Sequence, residues 1–332
     1  YLTAGGTVFT ATGFEFSGRN YEDPASYRHS QIGTSSLPFS GSNGLCVGCH
    51  MSRPGGSGDH LFLPVSRSTV TPGHIDGIAS EVCIYCHTVS GAGGLEDLIN
   101  ERKEEYIEAV EATMYVLDKR GFYFRGAHPY FFALRASNGT AVVSGGTSTT
   151  STLTGTLTTW ATGTTAVSTS AATPDYFKFN EDGTYYKVIS RTSDTSITVT
   201  PTYTGAVTSD KYTIIKSGTA GGIKNWLTQA GSGIISAPAS DTDGTGYITG
   251  RYNLGAAFNL NLLEHDPGAY VHNRIYAKRL LYDSIDWADD NLMNYSVGNT
   301  LSNLVPAGAI FRAGAMKYLL PYGVLGIAAE RP

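Results

Sequence analysis

The chain of 332 residues is long enough for two domains with cores of their own. Only 15% of its residues are charged and its formal net charge is −5, which leaves no basic face for nucleic acid and excludes it as a partner. Abundant Gly, Ser and Thr, no apolar run of the roughly 20 residues a membrane-spanning helix needs, and a start at Tyr1 without a leader suit a processed, secreted or cell-surface protein, with the periplasm as the alternative.

Residues 1–94 are rich in Gly, Ser and Pro, show little periodicity, and hold all four cysteines and five of the eight histidines. The cysteines fall in Cys46-Val47-Gly48-Cys49-His50 and Cys83-Ile84-Tyr85-Cys86-His87, two copies of C-x-x-C-H, the attachment signature of c-type haem. Two thiols three positions apart reach the two vinyl groups of one porphyrin edge, and the adjacent imidazole falls under the iron. One zinc site would not require a histidine after each second cysteine. A thioredoxin-like pair or two disulfides would leave the duplicated Cys-His junction unexplained. The expectation is therefore two covalent haem c groups on Cys46, Cys49, Cys83 and Cys86, with His50 and His87 as proximal iron ligands. A segment this poor in aliphatic residues predicts loops wrapped around the cofactors, folding poorly without them.

From Leu95, apolar residues at threes and fours (Leu98, Ile99, Tyr106, Ile107, Val110, Met114, Leu117) predict an amphipathic helix of about six turns ending before Gly121. The aromatic run Phe122-Tyr123-Phe124 and His128-Pro129-Tyr130-Phe131-Phe132 suits either a flat cofactor or an ordinary core. Between Asn138 and Lys216, Thr, Ser, Val, Tyr and Gly take over, with alternation in 185–189 and 196–200 and turn signals at Glu181-Asp182-Gly183 and Thr192-Ser193-Asp194, which predicts a small all-β module. Asn138-Gly139-Thr140 at its edge is a glycosylation sequon. Helical texture then returns at Ile223, Trp226 and Leu227, at Leu254–Leu263 and across Ala269–Trp287; Glu96-Asp97 and Asp289-Asp290 read as helix-end charges. The fold class expected is α+β: a loop-rich, partly helical di-haem domain (1–137 and 217–332) carrying an inserted all-β module (138–216).

Segments 154–160, 175–179, 186–188, 192–195 and 212–214 resemble small β-modules of phage tail and bacterial surface proteins, which serve as spacers or attachment surfaces. His272-Asn273 opening the helix Tyr276-Ala277-Lys278-Arg279-Leu280-Leu281 resembles the His-Asn helix that supplies a distal ligand in pentahaem nitrite reductases and octahaem cytochromes. Cys46 to Met51 followed by His60-Leu61-Phe62 resembles their C-x-x-C-H-M segment with a downstream ligand, and Ser26-Tyr27-Arg28-His29 their upstream ligand. Together with His128 to Phe132, Gly255-Ala256-Ala257-Phe258-Asn259 and Pro267-Gly268-Ala269-Tyr270, the pattern resembles secreted multihaem cytochromes of metal-reducing bacteria such as Geobacter. The reductases, however, carry more haems and a lysine or open site at the catalytic one.

Six histidines remain for the sixth iron positions, and Met51, next to His50, is badly placed to cross to the other face. The resemblance puts His29, His60 and His272 first for the two irons, with His128 and His74 behind them; His265, between Glu264 and Asp266, suits a solvated or ion-paired role. Bis-histidine iron implies a secreted electron carrier rather than an enzyme, passing electrons to redox partner proteins or extracellular acceptors. Self-assembly into a conducting filament, with a histidine donated between subunits, is a form of the same reading. A di-haem peroxidase with one open haem is the alternative, though its two motifs would lie far apart in sequence. An adhesion protein built on the β-module ranks last.

Overall fold

The structure, a computed structural model, describes residues 2–332 except 25–26, 38–39, 52–61, 88–93, 137, 180–183, 206–210, 219–221, 225, 227–245, 307 and 321–324. Its chain divides into two compact units, Tyr1–Val116 with Gly255–Pro332, and Leu117–Leu254. It is a mixed α+β protein.

The first unit begins with short pieces, as its Gly-rich sequence dictates: α1 (Leu2–Val8), a 3-10 turn (His29–Gln31), α2 (Leu45–His50), the hairpin β1 (Val65–Arg67) and β2 (Ile75–Ile78), and α3 (Glu81–Cys86). The two C-x-x-C-H motifs are α2 and α3 with the residue that follows α3. Here a small cluster of Ile32, Leu37 and Val82, with Leu45 and Cys49 against it, is the apolar centre. Then α4 (Gly94–Lys119) runs for 26 residues, with Glu96 and Asp97 in its first turn and Lys119 in its last, both favourable to the helix dipole. Tyr106, Val110 and Leu117 are buried as their spacing predicts, but Ile107 is exposed, because it sits on the rim of the stripe.

In the second unit the aromatic run forms the hairpin β3 (Tyr123–Phe124) and β4 (Phe131–Phe132). Phe124 and Phe131 are buried, and Trp226 meets Phe122 at 5.4 Å and Phe131 at 5.8 Å between ring centres. These rings make a core of their own. Next come β5 (Arg135–Ala136), β6 (Thr140–Gly146), β7 (Ser151–Thr156), β8 (Tyr176–Phe179), β9 (Tyr186–Ser193), β10 (Ser196–Thr200) and β11 (Tyr212–Ile215), in one antiparallel sheet ordered β5-β11-β8-β9-β10-β7-β6. Alternation places Phe177, Val188, Ile197, Val199, Tyr212 and Ile214 inward around Trp160, whose indole N–H donates to the Tyr212 hydroxyl at 2.9 Å. The expected turn at 181–183 lies outside the described residues. Strand β5, ahead of residue 138, pairs with β11 and belongs to the sheet. Asn138 of the sequon is half-buried: its amide donates to Thr159 Oγ1 at 3.0 Å and accepts from the Tyr212 hydroxyl at 2.8 Å, so it is a structural side chain of the sheet's edge.

Helix α5 (Gly246–Glu264) leads back into the first unit, followed by α6 (Ala269–His272), α7 (Arg274–Asp290), α8 (Val297–Asn303) and α9 (Arg312–Leu319). The continuous helix expected over Ala269–Trp287 is broken at Asn273, which is extended (φ −153°, ψ 89°), caps α7 by accepting from Tyr276 N at 3.0 Å, and donates to Asp23 at 2.9 Å. Buried Tyr276, Leu280, Leu281 and Ile285 hold α7 in the core, and Asp283 is paired with Arg331 at 2.6 Å. At the far end of α7 the helix dipole would disfavour Asp289 and Asp290; their carboxylates serve the next turn instead. Asp290 accepts from Leu292 N at 2.8 Å, and Asp289 accepts from Ser296 Oγ at 2.7 Å and from Thr300 Oγ1 at the head of α8. Burial pushes the Asp289 carboxyl up to about 6. No helix among the described residues is long and apolar enough to cross a membrane.

Candidate functional site

The loop that follows His29 carries the local chemistry that sets α2 against α3. Gly33 has φ +71°, and a Cβ there would lie 2.2 Å from the Gly44 carbonyl oxygen, so only glycine lets this loop close on the start of α2. Gly33 N donates to Ser40 Oγ at 2.7 Å, and Ser40 in turn donates to Leu37 O at 2.6 Å. With Ile32, Leu37 and Val82 clustered, the two cysteine helices become neighbours. No disulfide joins any of the four cysteines. Burial, then the nearby Cys83, pushes the Cys49 thiol up to about 12; burial also raises Cys83. Cys46 and Cys86 are exposed.

Each motif histidine faces a second histidine. His50 and His272 have ring centres 6.4 Å apart with planes tilted by 41°; His87 and His29 have ring centres 6.0 Å apart with planes at 88°. An imidazole nitrogen binds a transition metal at about 2 Å, so two imidazoles on opposite faces of one iron have ring centres about 6.3 Å apart. Both pairs stand at that separation.

The remaining nitrogens agree. His272 Nδ1 is 2.8 Å from Asp266 Oδ1, His29 Nδ1 is 2.8 Å from Val271 O, and His50 Nδ1 is 3.1 Å from Phe62 O. In each of these rings Nδ1 is tied back, which turns Nε2 outward as the ligand atom, the usual arrangement for metal-binding imidazoles. Phe62 also stacks on His50 at 4.4 Å. Gly268 lies beneath His272, where a Cβ would come within 2.8 Å of the ring, and the Tyr106 hydroxyl fixes the Asp266 loop by donating to Leu263 O at 2.6 Å. Tyr27 donates to His272 O at 3.2 Å and meets the His29 ring at 5.1 Å, joining the two distal positions. Burial lowers the pKa of His29, which keeps it neutral and able to bind metal.

The other histidines are placed differently. His74 has both ring nitrogens engaged, Nδ1 with Asp76 at 3.1 Å and Nε2 with Asn100 at 3.2 Å. His265 Nδ1 bonds Asn261 O at 2.8 Å and lies 3.7 Å from a Glu264 oxygen. His128 belongs to the second unit, its ring against Tyr130. His60 lies outside the described residues. Asp266, Phe62 and the tether of His29 to Val271 escaped the sequence reading: carbonyl partners leave no side-chain signal, and an aspartate six positions before its histidine has no helical or strand period.

Among the described residues no group of three or more His, Cys, Asp or Glu gathers that could hold a bare metal ion. Comparison with curated proteins finds the C-type polyheme cytochrome OmcC of Geobacter sulfurreducens, 32% identical over 315 residues. The resemblance to multihaem cytochromes of metal-reducing bacteria holds. The C-type polyheme cytochrome OmcB of the same organism is 30% identical over 316 residues. Each alignment takes in 95% of this chain, which spans only 29% of OmcC and 30% of OmcB. No protein-family profile and no solved structure matches.

Proposed function

We propose that this Geobacter-like cytochrome chain binds two haem c groups covalently and transfers electrons through them, as an electron carrier rather than an enzyme. Cys46 and Cys49 would hold one haem, with His50 and His272 as its axial ligands; Cys83 and Cys86 would hold the other, with His87 and His29. The observation that carries this reading is the pair of histidine separations, 6.4 Å and 6.0 Å, beside two C-x-x-C-H motifs. When bound, each haem supplies a one-electron ferric/ferrous couple. The chain's own part is to fill both axial positions, which leaves no place for a substrate, and to fix the rings of His29, His50 and His272 through their Nδ1 partners. Contact between α2 and α3 brings the two attachment sites close together, as electron exchange between them requires.

A secreted or cell-surface location, with redox proteins or extracellular acceptors as partners, belongs to the same proposal. So does the insertion of residues 138–216 as a spacer or attachment surface. The pairs close within one chain, so a histidine donated between subunits is not needed, and a filament draws no support from them. Protein produced with a haem-attachment system should carry two haems per chain by mass and give wholly low-spin paramagnetic spectra. A substantial high-spin population would turn the reading toward the peroxidase alternative.

A further inference from the structure

Beyond the proposed iron ligands, α7 buries more positive charge than the described carboxylates answer. Lys278 is 4% exposed, its Nζ lies 4.8 Å from the ring centre of Tyr318, and it makes no hydrogen bond or ion pair among the described residues. One turn earlier, the buried Nε of Arg274 has no hydrogen-bond partner among the described residues, nor does the hydroxyl of the wholly buried Tyr318. The nearby carboxylate is Glu105, and Arg102 already grips both of its oxygens at 2.8 Å and 2.6 Å. Burial, then the charge of Arg274, pushes Lys278 down to about 7. Buried cations of like sign are costly unless an anion joins them.

The position of this cluster says which anion. Arg274 is two residues past His272, and Tyr27 bridges the same stretch, donating to His272 O and meeting the backbone N–H of Arg274. Tyr318 packs edge-on to Tyr106 at 5.7 Å, and Tyr106 also donates to Asp266 O at 3.1 Å, behind the aspartate that tethers His272. We propose that Arg274, Lys278 and the Tyr318 hydroxyl form a carboxylate site that takes the propionate groups of the haem held by His50 and His272. This rests on the haem reading above, and it adds a function for buried groups that the iron ligands do not use.

The test uses holo-protein carrying both haems. Arg274→Gln and Lys278→Met each remove one cation from the carboxylate. Each should shift one of the two haem reduction equilibria about tenfold toward the oxidised form, about 59 mV for one electron, and leave the other in place. Arg274→Lys, which keeps the charge, should leave both in place, and Arg274→Gln at its half-buried position gives a reading even where Lys278→Met fails to fold. Two bound haems with both equilibria unchanged in Arg274→Gln would overturn the proposal. So would a rise in the melting temperature of wild-type holo-protein on adding inorganic phosphate, since the cluster would then serve a free anion. Failure of the unmodified protein to carry two low-spin haems would sink the underlying haem reading instead, so the two failures are told apart.

Discussion

Among the described residues, the sheet of the second unit gathers eleven buried hydrophobic residues around Trp160, whereas the segment bearing both cysteine motifs gathers Ile32, Leu37 and Val82. The first supports itself by burial at roughly 25 cal/mol per Å² of apolar surface. The second has glycine turns, short helices and two histidine pairs. Under the proposed function, one chain would contain a region that folds on its own apolar surface and a region that folds on its cofactors.

The sharpest break of that comparison is loss of attachment. Replacing Cys46, Cys49, Cys83 and Cys86 with alanine should leave residues 29–87 open to protease while the sheet between 140 and 215 stays resistant, read by limited proteolysis with mass spectrometry. Equal resistance in both regions would dissolve the contrast. In the other direction, Trp160→Ala should cost the sheet about 3–5 kcal/mol in denaturant melts and leave the haem absorption spectrum as it was. A smaller effect is expected at the ligands: Asp266→Asn removes the charged partner of His272 and should weaken that axial bond by about 10–100-fold, raising one reduction potential and sparing the other, read by spectroelectrochemistry.

The smallest effect concerns pH. Asp289 has its carboxyl raised by burial from 3.8 to about 6, so the folded state favours the protonated form. Its contribution to stability is fully present below about pH 4 and is lost as pH rises through about 6. Amide exchange at the start of α8, corrected for intrinsic rates, should therefore be faster at pH 7 than at pH 5. Asp289→Asn should flatten that dependence.

How much of this was legible beforehand varied with the range of the interaction. Helix α4 and the strands around Phe177, Val188 and Ile197 follow local periods, and so could be read along the chain. The cysteine motifs are local as well, and they point to a cofactor directly. The apolar period of Ala269–Trp287 ran through the break at Asn273, and only the resemblance that has His272-Asn273 open the next helix marked it; its bond to Asp23, some 250 residues away in sequence, left no local signal. The nearness of His272 to His50 and of His29 to His87 likewise depends on contacts distant in sequence, and only supply and resemblance narrowed the candidates. Strand β5 was missed because two residues show no alternation until a partner strand gives them one.

The two histidine pairs also differ in when they can form. His29 and His87 close a loop that contains only the cysteine segment, and both exist early in synthesis. His50 and His272 close a loop that contains the entire β-sheet, and loop closure over a long span is costly until the intervening chain is compact. Yet the tether of His29 to Val271 O is made only after the sheet, as is His272 itself, so the proposed distal ligands are both fixed last, once the chain beyond the sheet is in place.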